Sequence, residues 1–264
     1  MTEPAAKLSP FDYSPRRTFS AKIQRRLTQS QTSSPLGKVA HSMLTFSFDD
    51  FPKSAADTGA EILEAINAPA IYYACSGLAE TVTPTGEQYD ADDLLRLTKA
   101  GHEIGAHTHT HLDCAAAPLE TALNDIEMNL DQLKVMGLEQ SVEHFAYPYG
   151  ETTIALKKSL MGKFATCRGI LPGQNRQSSD RMQLRSMELK PDSMTTDRAE
   201  YAIEMAMKEP TWLHIFTHDV RRSPSNFGTR PADLIRLSRL ARDAQLPIVT
   251  PSQAMTRLKA GVNV

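Results

Sequence analysis

Two kinds of residue in this chain are spaced so that they could do chemistry together. Gly101 to Cys114 reads GHEIGAHTHTHLDC and holds four of the eight histidines, His102, His107, His109 and His111. Neutral imidazole nitrogens are ligands for zinc and similar divalent ions, usually with a carboxylate or thiolate completing the set. If the backbone turns helically after His107, then His107 and His111 stand at i and i+4 on one face. His109 then points elsewhere, to the surface or behind the ligands. The HExxH pattern of zinc proteases fails, because His102-Glu103 is followed by Gly105 and the next histidine comes five positions on. Taken alone, the pair reads equally well as a metal site or a solvated histidine cluster. The second kind is acidic: Asp49-Asp50 closes the short apolar run Met43 to Phe48. By itself such a pair is often a helix cap.

The elements that must position these groups alternate along the chain. Strand-like runs fall at Met43 to Phe48, Ala70 to Ala74, His102 to Ala106, His144 to Tyr147, Phe164 to Cys167, Trp212 to Thr217 and Pro247 to Thr250. Helical spacing covers residues 54 to 67, Ala91 to Ala100, Thr152 to Met161, Asp197 to Lys208, Ala232 to Ala244 and Ser252 to Lys259. The clearest helix runs from Pro118 to Met136, where Leu119, Leu123, Ile126, Leu130 and Leu133 recur at helical intervals before Gly137 stops it. Arg168 to Lys190 predicts a long loop with a short strand near Leu184. Alternating strands and helices mean parallel βα units. About seven of them predict an α/β fold, a distorted (β/α)7-type barrel in a single domain over residues 41–264, rather than an open doubly wound sheet. In such a barrel catalytic groups gather at the C-terminal strand ends. Asp49-Asp50, His107 to His111, Tyr147-Pro148-Tyr149-Gly150, Arg168 and His218-Asp219 all fall there. Each has a bland reading, as cap, turn or structural histidine, but their joint placement is hard to assign to chance.

Composition narrows the partners. The 264 residues carry a net charge of -2, so there is no electrostatic reason to expect nucleic acid or an anionic membrane. No run is long enough to span a bilayer, which argues against stable membrane insertion. Cys75, Cys114 and Cys167 are sparse, odd in number and free of CxxC spacing, which fits a reducing, cytoplasmic setting. No GxGxxG or phosphate loop follows a strand, so no nucleotide cofactor is implied. Residues 1–40 carry Pro4, Pro10, Pro15 and Pro35, the pairs Arg16-Arg17 and Arg25-Arg26, and a Gln/Ser/Thr-rich run. They read as an arm, extended or partly disordered with a short helix near Ala21 to Leu27, whose basic pairs form a solvated face. The oligomeric state is not legible.

These motifs together resemble the polysaccharide deacetylase family, the NodB-like deacetylases of carbohydrate esterase family four. Ser47-Phe48-Asp49-Asp50 is similar to the family's first motif and His107-Thr108-His109-Thr110-His111 to its His-Ser/Thr-x-x-His motif. Phe145 to Gly150 and Ile215 to Asp219 resemble two further motifs, and the likeness spans Met43 to Met255. The resemblance implies that Asp50, His107 and His111 hold a divalent metal, zinc first, with cobalt, nickel or manganese as alternatives. It implies Asp49 as general base, the Tyr149 backbone N–H as an oxyanion donor, and His218 as general acid with Asp219 beside it keeping it charged. The substrate implied is an N-acetylated sugar or oligosaccharide, and the products are acetate and a free amino sugar. Related C–N hydrolysis, as of cyclic amides, and a catalytically dead sugar-binding domain are the competing readings.

Three departures matter. Phe51 stands where many members have glycine, which would narrow the edge of the site. Ala146 stands where the family has the arginine that orients the base, and no Asp-x-x-Asp-Trp support follows Tyr149. Arg168, at the next strand end, is the candidate to supply the missing guanidinium to Asp49.

Overall fold

Strand β1 (Met43–Asp49) is buried along its whole length, and its two faces differ in kind. Side chains alternate across a strand. Leu44, Phe46 and Phe48 therefore join one apolar cluster with the surrounding helices, while Thr45, Ser47 and Asp49 face the opposite way. That second face is polar and partnered: Thr45 Oγ1 donates to the Val249 carbonyl at 2.8 Å and accepts from Trp212 Nε1 at 2.9 Å. The computed structural model describes residues 18–260.

The remaining strands of the main sheet are β2 (Ala70–Ala74), β3 (Glu103–Ala106), β4 (His144–Ala146), β5 (Thr166–Arg168), β6 (Met187–Glu188) and β7 (Trp212–Thr217). They lie in the order β5-β4-β3-β2-β1-β7-β6, and every pairing is parallel. The intervening helices are α1 (Phe19–Ser30), α2 (Ala60–Glu64), α3 (Ala91–Lys99), α4 (Leu119–Val135), α5 (Ile154–Leu160), α6 (Ser193–Ala206), α7 (Pro231–Asp243) and α8 (Pro251–Ala260). This is the expected (β/α)7-type barrel in one domain. Its seam is closed by a single stretch: Leu184 bridges Arg168 on β5, while Met187 and Glu188 pair with Ile215 and Phe216 on β7. Gly105 on β3 has no room for a side chain, since a Cβ there would stand 2.4 Å from the Tyr73 ring.

Two expected elements come out differently. The helix over 54–67 opens with a π turn at Ala55–Gly59 before its α segment. The strand expected at Pro247 to Thr250 is reduced to one bridge, Leu44 with Ile248. Its place explains this. On the β2 side of β1 pairing starts only at Phe46, so the earlier Leu44 has a free edge that 247–249 fills, and Pro247 has no N–H to extend it.

The N-terminal arm is helical from residue 19, with the Thr18 side chain accepting from Ala21 N at its start. Residues 1–17 lie outside the described residues. Lys157 on α5 is fully buried and ties the arm down: its ammonium donates to the Thr28 and Gln31 carbonyls at 2.7 Å and pairs with Asp180 at 2.8 Å. The Asp180 carboxylate in turn accepts from the Ser33 and Ser34 amides, both at 3.0 Å. Breaking a buried pair leaves one uncompensated charge. Lys157→Met is expected to cost about 3 kcal/mol in a urea titration and to open α1 to tryptic cleavage at Arg25 and Arg26. Unchanged stability with an uncut arm would contradict this role.

Candidate active site

The C-terminal end of β1 divides the acidic pair between two tasks. Asp49 keeps the strand's alternation and points into the barrel. Asp50 and Phe51 follow with φ of 57° and 28°, left-handed values that turn the chain sharply and send the Asp50 carboxylate toward the histidine loop. Phe51 is fully buried, stacked on Tyr89 with ring centroids 4.0 Å apart and edge-on to Tyr72 at 5.3 Å. It therefore fills the core and does not narrow the edge of the site, contrary to the expectation from its position.

The histidine loop is not helical, so His107 and His111 do not converge by i,i+4 spacing. Left-handed residues Thr108 (φ 61°) and His111 (φ 55°) fold the loop back on itself instead. The result brings His107 Nε2 to 3.6 Å and His111 Nε2 to 3.2 Å from Asp50 Oδ1. His107 Nδ1 donates to the Ala146 carbonyl at 2.8 Å, which fixes the tautomer and leaves Nε2 with its lone pair. His109 turns away, its Nδ1 2.9 Å from Ser76 Oγ.

Helix α4 holds this loop in place, a role that sequence reasoning missed. Asp125 accepts from the His109 amide at 2.7 Å, the Thr110 amide at 3.0 Å and Thr110 Oγ1 at 2.7 Å. Asn129 accepts from the His107 amide at 3.2 Å and donates to the Ala74 carbonyl at 2.9 Å. The signal was there: a polar pair at i and i+4 beside an apolar stripe is worth explaining. Gly77 is the other fixed point, since a Cβ there would meet the His109 carbonyl oxygen at 2.3 Å. Asp125→Ala should loosen the loop and weaken divalent-metal affinity about tenfold to a hundredfold, as loss of an outer partner of a ligand does. Calorimetric titration with zinc reads this, and an unchanged affinity would contradict it.

Electrostatically the three groups are suited to a cation. Burial pushes the His107 imidazole down to about 4, against the pull of Asp49 and Asp50, and pushes His111 down to about 3. Burial likewise raises the Asp50 carboxyl, with His107 and His218 opposing and Asp49 adding to the rise. Among the described residues, Asp50 Oδ1 and His111 Nδ1 have no hydrogen-bond partner although both are buried. A carboxylate oxygen and two neutral imidazoles whose candidate ligand atoms lie within 4.8 Å of one another suit a divalent cation.

Asp49 sits beside this set in different company. Arg168 Nη2 reaches both its carboxylate oxygens at 2.5 Å, and the guanidinium is completely buried. The cation also lies against two rings, 4.6 Å from the Phe216 centroid and 5.1 Å from that of Tyr73. Burial alone would raise the Asp49 carboxyl, but Arg168, helped by His107 and His218, overcomes it and holds the group below its usual range. Ala146 and Arg168 are register partners on β4 and β5. The guanidinium has thus moved one strand over, on the same inward face.

Tyr149 has a left-handed backbone (φ 58°) in the turn Pro148–Gly150, and its ring stands edge-on over His111 at 4.5 Å. His218 follows directly on β7, half-buried, with Nδ1 donating to the Phe227 carbonyl at 3.2 Å. The expected service of Asp219 to His218 is not what the side chain does. Asp219 is spent on its own loop, accepting from Arg221 Nε at 2.7 Å, the Ser225 amide at 2.9 Å and Ser225 Oγ at 2.5 Å.

Residues 37–161, from before β1 through α5 and including the whole histidine loop, match the family model described as polysaccharide deacetylase. The stretch that builds the acidic pair and the histidine loop is therefore similar to polysaccharide deacetylases. Members are hydrolases of amide C–N bonds in acetylated polysaccharides and depend on a divalent metal. Among solved structures, the peptidoglycan deacetylase PdaC from Bacillus subtilis is 16% identical, with 86% of this chain and 95% of that one covered and a TM-score of 0.54. A family 4 acetyl xylan esterase from Clostridium thermocellum, in complex with a cobalt ion, is 18% identical over 81% and 90% of the two chains, TM-score 0.58. The chitin deacetylase of Colletotrichum lindemuthianum is 11% identical over 85% and 92%, TM-score 0.59. No functionally curated protein matches the sequence. At these identities the structures speak for the fold, and the activity and substrate of this chain have to be argued from its own site.

Proposed function

We propose that this chain is a polysaccharide deacetylase that removes the N-acetyl group from N-acetylhexosamine units of a glycan or glycan precursor. The observation that carries the reading is the juxtaposition of an Asp50-His107-His111 cation site with a second, separately charged carboxylate, Asp49. Zinc is the first candidate ion, since two imidazoles and a carboxylate leave a position open for water and substrate. A divalent cation held there would polarise the acyl oxygen and make water acidic near neutral pH. Asp49, kept ionised by Arg168, accepts a proton as the water oxygen bonds to the acyl carbon. The Tyr149 amide donates to the oxygen that gains charge. With Nδ1 engaged by Phe227, His218 presents Nε2 to the leaving nitrogen and protonates it as the C–N bond breaks. The products are acetate and the amino sugar.

The three free, buried cysteines support a reducing, cytoplasmic setting for this reaction. The test is acetate release from a panel of N-acetylated mono- and oligosaccharides by metal-loaded protein. Acetate from some of them, lost on chelation, is expected. Hydrolysis of cyclic amides in place of any acetylated sugar would replace this reading with the other C–N hydrolase chemistry.

A further inference from the structure

Helix α1 is built inside out. Phe19, Ile23 and Leu27 recur every four residues and form one stripe, as side chains at that spacing must, yet they are 80%, 43% and 57% exposed. The opposite face, with Thr28 buried and Ala21 and Arg25 half-buried, is the one turned to the barrel. Its anchors are polar: Lys157 holds the Thr28 carbonyl, and Arg25 Nε donates to Glu151 at 2.6 Å. An amphipathic helix that docks by its polar side leaves its apolar side for something else.

Charge says what that is. The whole chain is slightly acidic, but residues 16–30 carry five basic residues and no acidic one. Arg25 is spent on Glu151, whereas Lys22 and Arg26 are exposed beside the stripe, and the Arg16-Arg17 pair lies next in the sequence. An apolar stripe flanked by lysine and arginine is the pattern of a helix lying in the interface of an anionic membrane. The helix is also placed where this would matter. Arg25, Thr28 and Gln29 share the wall of a cavity of about 210 Å³ with Tyr149, Gly150 and Ile170. Ile170 is itself 44% exposed and adds to the apolar rim.

We infer that α1 docks the enzyme on an anionic lipid surface, with the stripe Phe19-Ile23-Leu27 in the interface and Lys22 and Arg26 on the headgroups. The cavity that α1 shares with Tyr149 then lies beside glycans carried at the membrane. Docking of this kind is superficial and reversible, and it needs no membrane-spanning helix, of which the described residues have none.

Co-sedimentation of the full chain with vesicles tests this without reference to catalysis, so it stands or falls apart from the deacetylase reading. Wild type is expected to sediment with vesicles of equal parts phosphatidylcholine and phosphatidylglycerol, less so as salt rises, and poorly with phosphatidylcholine alone. F19S/I23S/L27S, whose changes are all on exposed side chains, should bind at least about tenfold more weakly at unchanged thermal midpoint. K22E/R26E should lose the preference for the anionic vesicles. Equal binding by wild type and the triple variant overturns the inference. So does absence of binding by wild type. In that event a dimer that the triple variant turns into a monomer assigns the stripe to a second copy. Binding gained on deletion of residues 2–17 assigns it to the chain's own N-terminus.

Discussion

Asp49→Asn is expected to lower kcat/KM by about 10³, within the range contributed by a positioned general base, while leaving one metal ion bound with wild-type affinity. The two halves of that expectation come from the split acidic pair. Asp50 Oδ1 stands within 3.6 Å of His107 Nε2 and 3.2 Å of His111 Nε2, whereas Asp49 is held by Arg168 on the inward face of β1. Asparagine keeps the shape and one oxygen for Arg168 but cannot take a proton from water. It also leaves a buried guanidinium without its counter-charge, so a loss of about 3 kcal/mol in stability should accompany the kinetic effect. Steady-state kinetics beside calorimetric metal titration checks both. If zinc affinity falls with the rate, Asp49 is a ligand and the division of labour is wrong.

Arg168→Met is expected to have the second-largest effect, about a hundredfold in kcat at neutral pH, with a changed pH profile as its signature. Arg168 is what overcomes burial and keeps the Asp49 carboxyl below its usual range. Without it burial prevails, the carboxyl titrates higher, and the base is protonated where it is needed. The sign follows: a base whose value has risen regains activity as pH increases, so the acidic limb of kcat/KM should move up in the variant. A residue that merely packed the core would lower the rate at all pH values alike. The register adds a rescue. Because Ala146 and Arg168 are partners on adjacent strands, Ala146→Arg in an Arg168→Ala background returns the guanidinium to the same inward face, and partial recovery of activity is expected. An unshifted pH limb together with failed rescue would remove Arg168 from the mechanism.

The sequence carried the frame of this site well and its local geometry poorly. Strands β1, β2 and β7 were legible because each is a short buried run between clear breaks, and α4 because its leucines recur at helical intervals. From the strand ends alone, Asp49-Asp50, the histidines, Arg168 and His218 could be placed on one face of a barrel. What spacing could not reveal was how the chain turns there. Left-handed φ at Asp50, Thr108, His111 and Tyr149, none of them glycine, decides which way each side chain points, and such conformations are selected by tertiary contacts rather than by local preference. Asp125 and Asn129 impose the histidine turn through hydrogen bonds from another helix. Phe51 looked like a rim residue because of its neighbour, and the positive φ puts it in the core. Asp219 looked like a partner for His218 because it is adjacent, yet adjacent residues rarely meet face to face.

The most direct measurement is acetate release from an N-acetylhexosamine oligomer as zinc is returned to chelator-stripped protein. The expected result is no turnover without metal, a rise that saturates at one equivalent, and no rise in Asp49→Asn although that variant takes up the same equivalent. Full turnover by stripped protein, or silence with one zinc demonstrably on His107 and His111, would contradict it.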